Sequence, residues 1–153
     1  MNAHFRLIPE AIAMSDAPSK PAVLEALAAC FENAYGIRAA DVLEALDERE
    51  KLGSTGFGRG VAIPHARLGQ VNRPVAALLK LSSPVAFDAA DGMPVELAFG
   101  LISPENAGAA HLHALAAISR MVREETTHRI LMEATDAETL RASLANANDR
   151  DVA

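Results

Sequence analysis

A three-layer α/β/α domain, a mixed β-sheet flanked by helices, is the fold class this sequence predicts. Three observations predict it. Helix-period segments stand both before and after a set of short, strongly apolar runs. The runs at 74–81 and 95–102 are almost continuously apolar, as strands covered on both faces are. Half of the 153 residues are hydrophobic and 22% are charged, so one domain spanning 1–153 can bury a proper core. No repeat, low-complexity segment or internal boundary interrupts it, and helices on both sides of apolar strands give the layered arrangement.

Residues 1–18 hold a short apolar piece broken by Pro9 and Pro18, expected to be an extended or turn-rich lead-in. Ser19 is a good helix N-cap, and Pro21 falls in the first turn, where its missing N–H costs nothing. Leu24, Leu27, Ala28, Phe31, Ala34 and Tyr35 then follow the helical spacing up to Gly36. A second helix is expected over 39–51, with Val42, Leu43, Leu46 and Ala45 as its apolar stripe. It ends in the charged run Asp47-Glu48-Arg49-Glu50-Lys51, the usual mark of a solvated helix end. Four glycines at 53, 56, 58 and 60 form a turn-rich stretch before the short strand Val61-Ala62-Ile63. Residues 69–73 make a turn, and Ser82-Ser83-Pro84 is expected to stop the strand at 74–81. Residues 87–92 form a loop with an Asp-Gly turn, and the strand at 95–102 ends at Ser103-Pro104. A helix over 109–124 carries Leu112, Leu115, Ala116, Ser119 and Val122 on one side. Shorter helices follow at 126–134 and 136–147, the last with a Thr135/Glu138 capping box, and the tail 148–153 is expected to fray.

Composition excludes several function classes. Asp and Glu total 20 against 14 Lys and Arg, with no basic patch, so nucleic acid is not an expected partner. No apolar stretch is long enough for membrane insertion, and the lone Cys30 permits no internal disulfide; a reduced, cytoplasmic setting follows. Among the histidines at 4, 65, 111, 113 and 128, none form an H-x-x-x-H pair, so no metal site is expected. The glycines lack both the Walker Lys-Ser/Thr and the dinucleotide spacing, and no serine occupies a G-x-S-x-G elbow.

What remains is His65. Pro64 fixes its own φ and keeps Ile63 extended, so His65 leaves the strand end in a defined direction, between Arg59 and Arg67. A surface or hydrogen-bonded core histidine is the ordinary alternative. A neutral imidazole can attack phosphorus and later return the phosphoryl group. Such transfer chiefly needs in-line positioning and cover for the phosphoryl charge, which arginines such as Arg49 and backbone N–H groups provide. A second histidine in the first turn of the 109–124 helix would add a donor; periodicity does not choose between His111 and His113, which face oppositely.

Residues 49–67, Arg-Glu-Lys-Leu-Gly-Ser-Thr-Gly-Phe-Gly-Arg-Gly-Val-Ala-Ile-Pro-His-Ala-Arg, resemble the signature of the mannitol/fructose-type enzyme IIA domains of the bacterial phosphotransferase system. The nitrogen-regulatory branch is the most similar. The resemblance extends to Ser19-Lys20, to Phe87-Asp88 with Asp91-Gly-Met-Pro-Val95, and to His111-Leu-His-Ala-Leu115, hence over nearly the whole chain. It implies that His65 is the phosphohistidine, accepting through Nε2 from an HPr-type carrier, and that His111 rather than His113 is the second active-site histidine. It makes Arg49 a phosphate-pocket residue. Ser54, Thr55 and Gly56 lie in the same run, their hydroxyls suited equally to a phosphate and to turn capping. Ala66 stands where the family often has Gly, a mild departure compatible with activity. Arg59 and Arg67 are left outside the core site. No cofactor is implied, since the phosphoryl group arrives from a protein. Two roles fit such a domain: regulation of partner proteins by phosphorylation state, or sugar transport by transfer to a IIB cysteine. The chain contains no linker, IIB-like cysteine loop or membrane domain, which, with the branch resemblance, favours regulation.

Overall fold

The computed structural model describes residues 4–152, with side chains described for residues 4–145. Strand residues of opposite parity build two separate cores, and this alternation generates the layers. From β5 (Val75–Val85), Ala77, Leu79 and Leu81 pack toward α1 (Lys20–Tyr35) and α2 (Ala39–Lys51). Ala76 and Leu78 point the other way, toward α3 (Ala109–Arg123), α4 (Glu125–Glu133) and α5 (Ala137–Val152). The result is the expected mixed sheet of six strands between two helical layers.

β5 and β6 (Val95–Pro104) form the antiparallel centre of the sheet. β1 (Ile12–Ser15) lies parallel to β5, with Ile12 opposite Leu78. On the other side of β6, two short strands run in series and parallel to it. β3 (Val61–Ala62) pairs with Leu97 and Ala98, and β4 (His65–Leu68) runs from Leu101 to Pro104. Ile63-Pro64 interrupts them because proline has no N–H for a ladder, although its carbonyl still accepts from Leu101 N–H at 2.9 Å. β2 (Gly56–Gly58) folds back antiparallel on β3.

Both helix ends of α1 follow their sequence signals: Ser19 Oγ accepts from Ala22 N–H at 3.3 Å, and Gly36 closes the helix at φ 73°. Val42 and Leu46 are fully buried along α2, with Leu43 at its margin.

Several elements differ from the sequence expectation. The lead-in contains a 3₁₀ turn (Pro9–Ala11) and strand β1, whose pairing partner lies more than sixty residues away and leaves no local mark. The glycine stretch is a β-ribbon rather than only a turn, and the chain resumes as a strand at His65. β5 runs through Ser82-Ser83-Pro84 with a register irregularity that accommodates the proline. On α3 the buried stripe is His111, Ala114, Ala117, Ile118, Met121 and Val122, whereas Leu112 is 61% exposed. Small alanines allow α3 to approach the sheet closely, so residue size misleads the eye there. Asp136, rather than Thr135, caps α5, accepting from Thr139 N–H at 2.7 Å. The α5 backbone continues to Val152, past the point where fraying was expected; residue 153 lies outside the described residues.

Candidate active site

The register of β4 on β6 puts His65 opposite Leu101, at the rim where the end of α2 and the start of α3 meet. Its Nδ1 lies 2.7 Å from the Ile63 carbonyl. A carbonyl only accepts, so Nδ1 carries the proton and Nε2 keeps a free lone pair in the neutral ring. Burial holds the His65 pKa below the ordinary histidine value; the Ile63 bond opposes it, the nearby Arg49 charge adds to the lowering, and the Glu50 charge opposes it least. The ring is therefore neutral near pH 7.

His65, Arg49, Arg67, His111, Leu52, Ala45, Glu48 and Ala66 line one cavity of about 400 Å³. His111 sits in the first turn of α3, 6% exposed, its ring centroid 5.7 Å from that of His65. Its Nδ1 is 2.7 Å from the hydroxyl of fully buried Ser103. Burial, then the Arg67 and His65 charges, push the His111 pKa down to about 4. The guanidinium of Arg49 donates to the Gly53 carbonyl at 2.7 Å, which fixes its position above the glycine stretch. Two arginines and two neutral imidazoles, against the single carboxylate of Glu48, give this cavity a net positive lining that suits a dianionic group.

His65, His111 and Arg49 thus come together. His113 is exposed, stacked edge-on against His4 at 5.9 Å between centroids, and does not line the cavity. Ser54, Thr55 and Gly56 are also absent from its lining. Ser54 Oγ donates to Phe87 O at 2.5 Å and accepts from Gly56 N–H at 2.9 Å. Thr55 Oγ1 donates to Glu50. Both hydroxyls are thus engaged by protein groups, Ser54 by the Phe87 carbonyl and the Gly56 N–H, Thr55 by the Glu50 carboxylate. Gly56 is required sterically, because a Cβ there would lie 2.8 Å from the Ala89 Cα. Arg59 is engaged elsewhere, paired with Glu125 at 3.1 Å. Among the described residues, no three His, Cys, Asp or Glu side chains converge to hold a metal.

Ser103 and Glu50 carry no signal of their roles in the sequence, and Arg67, expected outside the core site, lines the cavity wall. Ser103 was read as a strand stop, and nothing local marks it as a partner of His111. Glu50 sits in a charged run, yet it is 9% exposed and has its carboxylate against Lys20 Nζ at 2.8 Å.

The sequence profile of the phosphoenolpyruvate-dependent sugar phosphotransferase system EIIA 2 family matches residues 7–147. The chain belongs to this family, and a phosphoryl-carrier transferase role comes with membership. Within the family, its similarity runs to the nitrogen-regulatory branch. It is 41% identical over 127 residues to a nitrogen regulatory protein of Bradyrhizobium diazoefficiens, covering 83% of each chain. A nitrogen regulatory protein of Pseudomonas aeruginosa is 48% identical over 99 residues, 65% of this chain and 64% of that one. The crystal structure of the nitrogen regulatory protein IIA-Ntr from Neisseria meningitidis superposes with a TM-score of 0.81 at 40% identity, over 90% of this chain and 95% of the other. No helix among the described residues is long and apolar enough to cross a membrane.

Proposed function

We propose that this chain carries a phosphoryl group on Nε2 of His65, received from an HPr-type carrier, and that the phosphorylation state of His65 regulates partner proteins. The observation supporting this most is the 2.7 Å bond between His65 Nδ1 and the Ile63 carbonyl, which leaves Nε2 as the nucleophilic nitrogen. The Nε2 lone pair attacks phosphorus. The N–P bond on the carrier breaks, and its electron pair returns to the carrier imidazole. The His65 ring becomes cationic while keeping its Nδ1 proton, so the bond to Ile63 turns charge-assisted and strengthens as the product forms. Arg49 and Arg67 offset charge on the phosphoryl oxygens. The Ser103 hydroxyl can either donate to or accept from His111 Nδ1; in the tautomer in which it donates, the His111 proton is on Nε2, available for a hydrogen bond to the phosphoryl group. A group bearing nearly two negative charges, set beside exposed Leu52, changes what that surface binds.

The test is intact-mass analysis after incubation with phosphoenolpyruvate, enzyme I and an HPr-type carrier. One acid-labile phosphoryl adduct is expected on the native chain and none on His65→Ala. His111→Ala should still accept the group but pass it on poorly. An adduct that survives His65→Ala, or one stable to acid, contradicts the assignment.

A further inference from the structure

Glu50 belongs to a charged helix end, yet its side chain is only 5% exposed and its carboxylate is surrounded by donors from two other segments. Lys20 Nζ, at the start of α1, reaches it at 2.8 Å. Thr55 N–H donates to both carboxylate oxygens, at 3.1 and 3.2 Å, and Thr55 Oγ1 donates to one of them. Two hydrogen-bond paths leave this clamp. Along the first, the Thr55 carbonyl accepts from Ile63 N–H at 2.9 Å, and the Ile63 carbonyl faces His65 Nδ1 at 2.7 Å. Along the second, Gly53 N–H donates to the Glu50 carbonyl at 3.1 Å, and the Gly53 carbonyl accepts from Arg49 at 2.7 Å. Both the nucleophilic ring and the arginine beside it are therefore oriented by carbonyls whose positions depend on residues 50–55.

We infer that Glu50 is a positioning residue: through Thr55 and the 53–55 backbone it fixes the Ile63 carbonyl that sets the His65 tautomer and the Gly53 carbonyl that holds Arg49. Glu50 is not among the residues that line the His65 cavity. A carboxylate suits this task because it can accept from an N–H, a hydroxyl and an ammonium at once, while Lys20 balances its buried charge. Asp88, 3.7 Å from Lys20 Nζ and largely exposed, is a second partner for that ammonium when Glu50 is replaced. This inference rests on His65 being the phosphoryl acceptor for its kinetic arm, and its spectroscopic arm is independent of that reading.

The experiment compares native protein with Glu50→Ala and Thr55→Val, and with Thr55→Ser as the conservative variant. Ring ¹⁵N shifts of His65 in unphosphorylated protein report the tautomer, and single-turnover transfer from a phosphorylated HPr-type carrier reports the rate. Glu50→Ala and Thr55→Val should shift the His65 ring nitrogens toward the averaged values of a mixed tautomer. They should slow acceptance about 10- to 100-fold, as expected for reacting groups displaced by a fraction of an ångström, with half-saturation by the carrier unchanged. Thr55→Ser should restore both. Variants that lose stability but keep native ring shifts and native rate would overturn the inference, and so would a loss confined to half-saturation. Should Glu50→Ala fail to fold, Thr55→Val decides alone, because its N–H bond to Glu50 remains. If native protein accepts no phosphoryl group, the proposed function fails, while the ring shifts still decide whether Glu50 sets the tautomer.

Discussion

The His111 ring shows how burial and nearby charge translate into a pH dependence of stability. Its folded-state pKa of about 4 lies below the ~6.5 of an unfolded chain, so the unfolded state binds the extra proton first. The stabilisation is fully present above about pH 6.5 and is lost as pH falls toward 4, at a cost of about 2–3 kcal/mol. Urea unfolding at pH 7 and pH 4.5 should show this loss in native protein and a clearly smaller one in His111→Asn. Equal losses would mean that His111 is not the group responsible. Much of this site could be read from residue spacing, because Pro64-His65 and the flanking glycines are contiguous. His111 and His113 stayed undecided because Leu112 and Leu115 outweigh Ala114 and Ala117 in apolarity, although the alanines face the sheet. Glu50 was hidden for a different reason: a carboxylate in a charged run looks solvated until its folded partners, Lys20 and Thr55, are known.

At the scale of elements, helices were legible through caps and periodicity, and short strands were not. The limits of α2 at residues 39 and 51 match the expectation, since a helix encodes its own stripe. β1, β2 and β4 owe their existence to ladders with β5, β3 and β6, and a four-residue strand has too few positions to display a period. Two glycines separate conformational from steric constraint. Gly36 takes φ 73° in open space, so Gly36→Ala should cost about 1 kcal/mol through backbone strain alone and leave phosphoryl acceptance intact. Gly56 has an ordinary φ, but a Cβ would press into the backbone of Ala89, so Gly56→Ala must displace the 87–92 loop. Chemical denaturation and the acceptance assay together distinguish the two. A Gly56→Ala protein as stable as native would show that the loop yields freely.

For the molecule as a whole, the fold class was the most legible property, because two cores on opposite sides of one sheet require apolar strands flanked by helices. Leu78 lies at the middle of that arrangement, fully buried on β5 opposite both Ile12 and Phe99. Leu78→Ala should cost about 3 kcal/mol or more by leaving a cavity between sheet and α3. Equilibrium unfolding of this variant should remain a single transition, since the two cores share every central strand. Separate transitions for the two helical layers would show that the sheet does not couple them. The shared sheet also has a functional consequence: His65 on β4 and His111 on α3 keep their separation only while β6 supports both.

The central claim is that His65 accepts the phosphoryl group at Nε2 because Nδ1 is held by the Ile63 carbonyl. Long-range ¹H–¹⁵N NMR of the phosphorylated protein, with ³¹P coupling to the ring nitrogens, tests it most directly. The account predicts phosphorus bonded to Nε2 of His65, with a protonated Nδ1 retained before and after transfer. Phosphorus on Nδ1, or on any residue other than His65, would contradict it.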